Sequence, residues 1–204
     1  MKISKLLVSG AMALFFVLSA IQPCQACVGR ILKLALIQAP DQQVAGAILA
    51  VFINERTGTT VEIVPCNDIR ECEEKIKSGD ADLMIDYLAI AGMRVKGVES
   101  AKNDQEIYGL VKQYYLHNYS MVWLKPFGYH GPMAKDGSMT KIKPSLAVPV
   151  TTTRILDQFP VLDRVINKLS GRLDDDTMQK LIKDSKMGKD RSVIKKFLKD
   201  NHLI

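Results

Sequence analysis

The chain has few of the residues that most catalytic and metal-binding chemistry needs. Its three histidines, His117, His130 and His202, are isolated in sequence. They supply neither a zinc set with the cysteines nor a base beside a nucleophile. Phosphate-cradling glycine loops are missing, as are internal repeats and low-complexity tracts. After the first 26 residues no stretch is long and apolar enough for the ~20-residue span a membrane helix needs. Acids are also missing from the first residues: Met1 to Lys5 carries two lysines and none. Leu6 to Ile21 is apolar or small throughout, and "QPCQA" ends in a small-x-small pattern at Cys24 and Ala26. This pattern predicts a secretory signal peptide over 1–26 and export.

Cleavage after Ala26 would leave 178 of the 204 residues, enough for one domain with its own core. The chain's net charge is +6, and two of the lysines lie in the leader, so +4 remains. In the lysine-rich C-terminal segments Asp184, Asp190 and Asp200 are interleaved with the bases. These segments read as solvated helix faces, and no nucleic-acid partner is expected.

Four cysteines are present. Cys24 leaves with the leader. Cys27 would be the first mature residue, to be lipidated, left free or paired between chains. The lipidation pattern wants an aliphatic residue three positions earlier, where Cys24 stands. Cys66 and Cys72 form a C-x5-C pair at a strand-to-helix turn, a possible structural disulfide in an oxidising compartment. "CQAC" is followed by Val28 rather than His, so it does not attach a c-type haem.

Strands and helices alternate along the rest. "ILKLALI" (31–37) is a strand, and Asp41 is a candidate N-cap for a helix over 42–56 that ends at Gly58. "TVEIVP" is a second strand, followed by a helix capped by Asn67 or Asp68 and closed at Gly79. "ADLMIDYLA" is a third strand running into a helix or turn. Strand, helix, strand, helix, strand with short loops predicts a right-handed βαβ arrangement with a parallel sheet. A longer helix around 105–117 leads to a strand at 121–124, where Trp123 reads as core. "SLAVPVT" is extended. Thr151 to Thr153 are candidate caps for "RILDQF", Pro160 is expected to start a helix ended by Gly171, and two amphipathic helices close the chain. The Asp174–Asp176 run suits a helix N-terminus.

"EIYGLVKQYYLHNYSMVWLKPFGY", "INERTGTTVEIVPC", "KIKSGDADLMIDYLA" and the C-terminal "QFPVLDRVINKLSGRLDDDTMQKLIKDSKMGKDRSVIKKFLKDNHLI" occur in the order of similar segments in one family. The chain resembles the glycine betaine/choline/proline-betaine binding proteins of ABC importers, which are type II periplasmic binding proteins. The resemblance covers most of the mature chain. It implies an α/β, single periplasmic-binding-protein-like lobe: a mostly parallel sheet flanked by helices, with C-terminal helices. The family inserts a second lobe where this chain has only a short connection, about 130–144.

The resemblance also implies a function: binding without turnover, no cofactor, a small quaternary-ammonium solute, an ABC permease as partner, a periplasmic location and a role in osmoprotection. By position in the family's motifs, Gln42 matches a glutamine, Tyr87 a tyrosine and Tyr129 a phenylalanine. Ala39 and Ser145 stand where aromatics are expected, and His130 and Gly131 replace two asparagines. The candidate ligand-binding residues are therefore Tyr87, Tyr129, Gln42, Asp41, Gln38 and His130. Tyr87 and Tyr129 read equally as packed residues at strand ends. One lobe with two aromatics predicts a weak site, completed by a homo-oligomer through the exposed cleft face. The alternative is a single-lobe periplasmic adaptor or sensor module that binds a protein partner and no small ligand.

Overall fold

The computed structural model describes residues 31–133 and 143–204. The expected leader (1–26), Cys24, Cys27 and most of the short connection lie outside the described residues. Strand β1 (Ile31–Ile37) is followed by α1 (Pro40–Thr57), β2 (Thr60–Cys66), α2 (Ile69–Ser78) and β3 (Leu83–Tyr87). Strand β3 runs directly into the short helix α3 (Leu88–Gly92). Next come α4 (Asp104–Tyr119), β4 (Met121–Trp123), β5 (His130–Gly131) and β6 (Ser145–Thr152). Helices α5 (Thr153–Gln158), α6 (Leu162–Ile166), α7 (Asp175–Asp184) and α8 (Arg191–Asp200) complete the described chain.

The sheet order is β2-β1-β3-β6-β4, with β5 also paired to β6. The expected parallel βαβ unit is present: β1 is parallel to both β2 and β3. Strand β6 runs against β3, β4 and β5, so every other strand points one way. The order has a mechanical consequence. From β1 the chain moves outward to β2 through α1, then returns past β1 to β3 through α2. Right-handed crossovers in opposite directions put α1 and α2 on opposite faces of the sheet. They also leave a topological switch point between the carboxyl ends of β1 and β3.

Local chemistry sets the element ends. Gly58 and Gly79 take the left-handed conformation that closes α1 and α2. Asp68 accepts from the Glu71 amide at 2.8 Å while the Glu71 side chain accepts from the Asn67 amide at 2.7 Å. Asn103 and Glu106 repeat this reciprocal cap at the start of α4. Thr152, Asp174 and Asp190 cap α5, α7 and α8. One expectation fails here. Pro160 lies in the turn before α6, which begins at Leu162 with Val161 as the flanking residue. A proline-fixed φ serves that turn as well as it would serve a first helical turn.

All five residues of β3 are buried, as expected of a central strand covered on both faces. Helix α1 packs on one face and is itself covered by α6, α7 and α8. It lies so close to β1 that a Cβ on Gly46 would fall 2.2 Å from a Leu36 methyl. Trp123 is fully buried, in agreement with the sequence reading. Cys66 and Cys72 are buried free thiols. No helix among the described residues is long and apolar enough to cross a membrane.

Candidate functional site

The switch point is where an open α/β sheet offers a crevice, and the sequence places Gln38 to Gln42 and Tyr87 beside it. Helix α1 starts earlier than expected, with Pro40 in its first turn and Ala39 as the flanking cap residue, which makes no side-chain cap bond. Asp41 is therefore not the N-cap. Proline needs no hydrogen-bond partner at this position, so it starts the helix without a capping side chain. The carboxylate of Asp41 is free to turn inward.

There it accepts two hydrogen bonds. The Tyr87 hydroxyl donates to Oδ2 at 2.6 Å and the Met133 amide donates to Oδ1 at 3.0 Å. Asp41, Tyr87 and Tyr129 are all fully buried. Tyr129 stacks on Phe127 with ring centroids 6.0 Å apart and planes 14° from parallel. Its hydroxyl feels the Asp41 charge but meets no partner in hydrogen-bond geometry among the described residues.

Gln42, also fully buried, has both ends of its amide occupied. It accepts from the Ile37 amide at 3.0 Å and donates to the Ile85 carbonyl at 3.0 Å, tying β1 to β3 below the cluster. His130 faces another way. Its amide donates to Asp175 at 2.6 Å and its Nδ1 lies 3.1 Å from the same carboxylate, which fixes β5 to the start of α7. Gln38 is exposed and lines a groove with Ile63 and Met187, apart from the tyrosines. The structure thus brings Asp41, Tyr87 and Tyr129 together over Gln42 and leaves Gln38 and His130 outside.

Burial dominates the electrostatics. Desolvation raises the Asp41 carboxyl above the usual carboxylate range, against the lowering effect of the Tyr87 and Met133 bonds. It raises both phenols well above the ordinary tyrosine value, and the nearby Asp41 charge adds to the effect. An ionised Asp41 can pair with a cation, and a phenol ring that presents its face can add cation–π attraction; here Asp41 is met by the Tyr87 hydroxyl. Among the described residues no three His, Cys, Asp or Glu side chains converge as metal ligands.

Three contacts escaped the sequence reading. The Met133 amide carries no side-chain signal. Asp175 lies in the acidic run already read as a helix start, and nothing in the run points to His130. Ser145, where an aromatic is expected, is buried and its hydroxyl accepts from the Ala89 amide at 2.9 Å. It supplies from β6 the capping bond that Tyr87, flanking α3, does not make.

The fold has counterparts of known structure. A crystal structure described as a glycine betaine/carnitine/choline ABC transporter superposes with a TM-score of 0.70 at 15% identity, over 85% of this chain and 98% of that one. Apo YehZ from Escherichia coli gives 0.70 at 12% identity, over 85% and 99%. The apo open form of a TRAP periplasmic solute-binding protein from Marinobacter aquaeolei VT8 gives 0.50 at 11% identity, over 83% and 85%. No protein-family model matches the sequence, and no curated protein matches it. What this chain shares with these proteins is an α/β lobe, an open sheet flanked by helices.

Proposed function

We propose that this chain is the exported, periplasmic solute-binding component of an ABC-type importer of quaternary-ammonium compounds, reduced to one lobe. The observation that carries this reading is the convergence of Asp41 and Tyr87 across the β1/β3 switch point, with Tyr129 beside them. Ligands of open α/β sheets sit in that crevice. An acid between two aromatic rings suits a methylated cation, which can donate no hydrogen bond. The fold-level likeness to binding proteins of betaine-type importers supports the same class by analogy. On this reading the permease is the protein partner.

Binding requires the 130–133 segment to move, because Gly131 lies against the Tyr87 ring and Asp41. A two-residue pairing with β6, the bonds to Asp41 and Asp175, and the burial of Met133 in the core hold it there. Two cation–π contacts of ~0.5–1 kcal/mol each supply at most about 2 kcal/mol, against about 4 kcal/mol for a millimolar Kd, so millimolar affinity also requires pairing with the Asp41 charge or a second copy that supplies the opposite wall. The test is calorimetric titration of the chain from Val28 onward with choline, glycine betaine, carnitine and proline betaine. Saturable heat that disappears in Tyr87→Ala is the expected result. No heat with any of the four up to tens of millimolar would sink the reading.

A second reading rests on the burial of the same residues. Gly131 approaches so closely that a Cβ there would lie 2.5 Å from both Asp41 and the Tyr87 ring. If the crevice is permanently filled by the chain's own backbone, the lobe serves as an adaptor or sensor module for a protein partner and takes no small ligand. Crosslinking in the periplasm separates the two: capture of a permease supports the first, capture of a non-transport protein the second.

A further inference from the structure

A cavity of about 500 Å³ lies between α2 and α4, on the side of the sheet away from α1. Its size is within the ~300–1,000 Å³ range of small-molecule sites. Three tyrosines of α4 line it. Tyr115 is fully buried, and Tyr114 and Tyr119 reach outward from it, with ring centroids 5.4, 6.0 and 5.8 Å apart. The opposite wall is charged: Arg70, Glu73, Glu74 and Lys77 of α2, with Arg94 from the turn after α3.

The hydrogen-bond inventory of this cavity is one-sided. Glu73 is its only buried acid, and both its oxygens are occupied, one by Lys77 and one by Arg94. Glu74 is exposed and is held by Nε of Arg70 at 3.2 Å. The Arg94 Nη1 that pairs with Glu73 also lies 3.3 Å from the Tyr115 hydroxyl. The outer face of Tyr119 receives the Lys77 ammonium 3.7 Å from its centroid, so a cation already occupies the aromatic site beside the acid. The remaining guanidinium N–H groups of Arg70 and Arg94 have no partner among the described residues. A guanidinium can offer five donors and no acceptor. A ligand entering here meets spare donors, a surplus of positive charge and tyrosine rings.

We propose that this cavity binds a small organic carboxylate with a flat apolar body. The carboxylate pairs with the free edges of Arg94 and Arg70, which match its two oxygens as a fork. The body lies against Tyr114 and Tyr119, where aromatic contact adds to apolar burial. The site is separate from the Asp41–Tyr87 crevice and stands or falls independently of the function proposed for that crevice.

The probe is benzoate, titrated into the chain from Val28 onward and followed by calorimetry, with benzamide and phenyltrimethylammonium as neutral and cationic analogues. Saturable benzoate binding is expected, with both analogues at least about tenfold weaker because they lose the charge-assisted fork. Arg94→Gln should abolish binding, but it also strips Glu73 of a partner and can unfold the chain. Arg70→Ala and Tyr119→Ala alter exposed side chains, so a native far-UV spectrum is expected with benzoate affinity several-fold lower. Tyr87→Phe should leave benzoate binding unchanged. The proposal fails if benzoate does not saturate, if benzamide binds equally well, or if both surface variants bind benzoate as tightly as the parent. It fails equally if binding is lost in Tyr87→Phe, since benzoate would then be in the crevice.

Discussion

The hydroxyl of Tyr87 donates to a carboxylate oxygen of Asp41 at 2.6 Å, with both groups excluded from solvent. The bond joins the end of β3 to the first turn of α1 across the switch point. Tyr87→Phe removes the donor and leaves a buried acceptor oxygen unpaired, a change that costs about 1–3 kcal/mol. The loss should depend on pH. Burial already raises the Asp41 pKa, and this bond is the largest effect opposing the rise. Removing it raises the pKa further, so the variant loses more stability at pH 8 than at pH 5, where Asp41 can take up a proton. Urea denaturation at both pH values checks this. Equal losses would mean that Asp41 does not change protonation between them.

Gly131 sets the height of β5 above this pair. A Cβ at that position would lie 2.5 Å from Asp41 Oδ2 and from a Tyr87 ring carbon. Neither can retreat, because Tyr87 is held in the core and Asp41 by its helix. Gly131→Ala is therefore expected to cost about 1–3 kcal/mol by overpacking. It should also lift the 130–133 segment, so the Met133 amide, which donates to Asp41, exchanges with solvent faster. If the crevice binds a cation only after this segment lifts, the variant binds choline more tightly than the parent while being less stable. Unchanged exchange at Met133 would rule out the displacement.

These two residues show what the sequence could and could not reveal. The alternation of elements was legible because each boundary carries its own chemistry: Gly58 and Gly79 at helix ends, Asp68, Thr152 and Asp174 at helix starts. The parallel arrangement follows from strand, helix, strand, helix, strand with short loops, and the flanking helices from the family resemblance. Aspartate before a helical pattern normally caps it, but Pro40 makes a capping side chain unnecessary here, so Asp41 is not the cap. Tyr87 and Tyr129 were named from motif position, but their burial depends on where 130–133 returns, a long-range matter that no local pattern encodes. Gln42 was matched to a ligand-site glutamine and proves to join two strands, since a buried amide must satisfy both of its ends. Arg94 and the α4 tyrosines carry no local signal, because their meeting with Glu73 needs the fold of α2 against α4.

Cys66 at the end of β2 and Cys72 in α2 are buried thiols close enough to interact, and they are not bonded to each other. Desolvation pushes both thiol pKa values up, so little thiolate is present at neutral pH and exchange with outside reagents is slow. In the native protein Cys66 and Cys72 should therefore react sluggishly with a thiol reagent, and in the unfolded protein quickly. Refolding under oxidising conditions is the chance for the pair to close. Trypsin cuts at Arg70, between the two cysteines, so a disulfide would leave their peptides joined in a non-reduced digest. Finding both peptides free after oxidative refolding would remove the structural disulfide from consideration.

Asp86 gives the clearest pH dependence in the fold. It is fully buried in β3; one oxygen accepts from the Tyr87 amide at 2.7 Å and the other has no partner among the described residues. Desolvation outweighs that bond and pushes its pKa up from 3.8 to about 7. Between those values the folded chain holds a proton that the unfolded chain has released. The folded state binds more protons there, so this group makes stability fall as pH rises from about 4 to 7 and level off above. The slope approaches about 1.4 kcal/mol per pH unit in mid-range. Asp86→Asn keeps the size and the acceptor for the Tyr87 amide and removes the ionisation. The variant should match the parent below about pH 3.8 and exceed it in melting temperature at pH 8, despite placing an amide where the second oxygen was. Parallel stability curves for the two proteins across this range would mean that Asp86 is ionised in the fold throughout, with a partner that stabilises its charge.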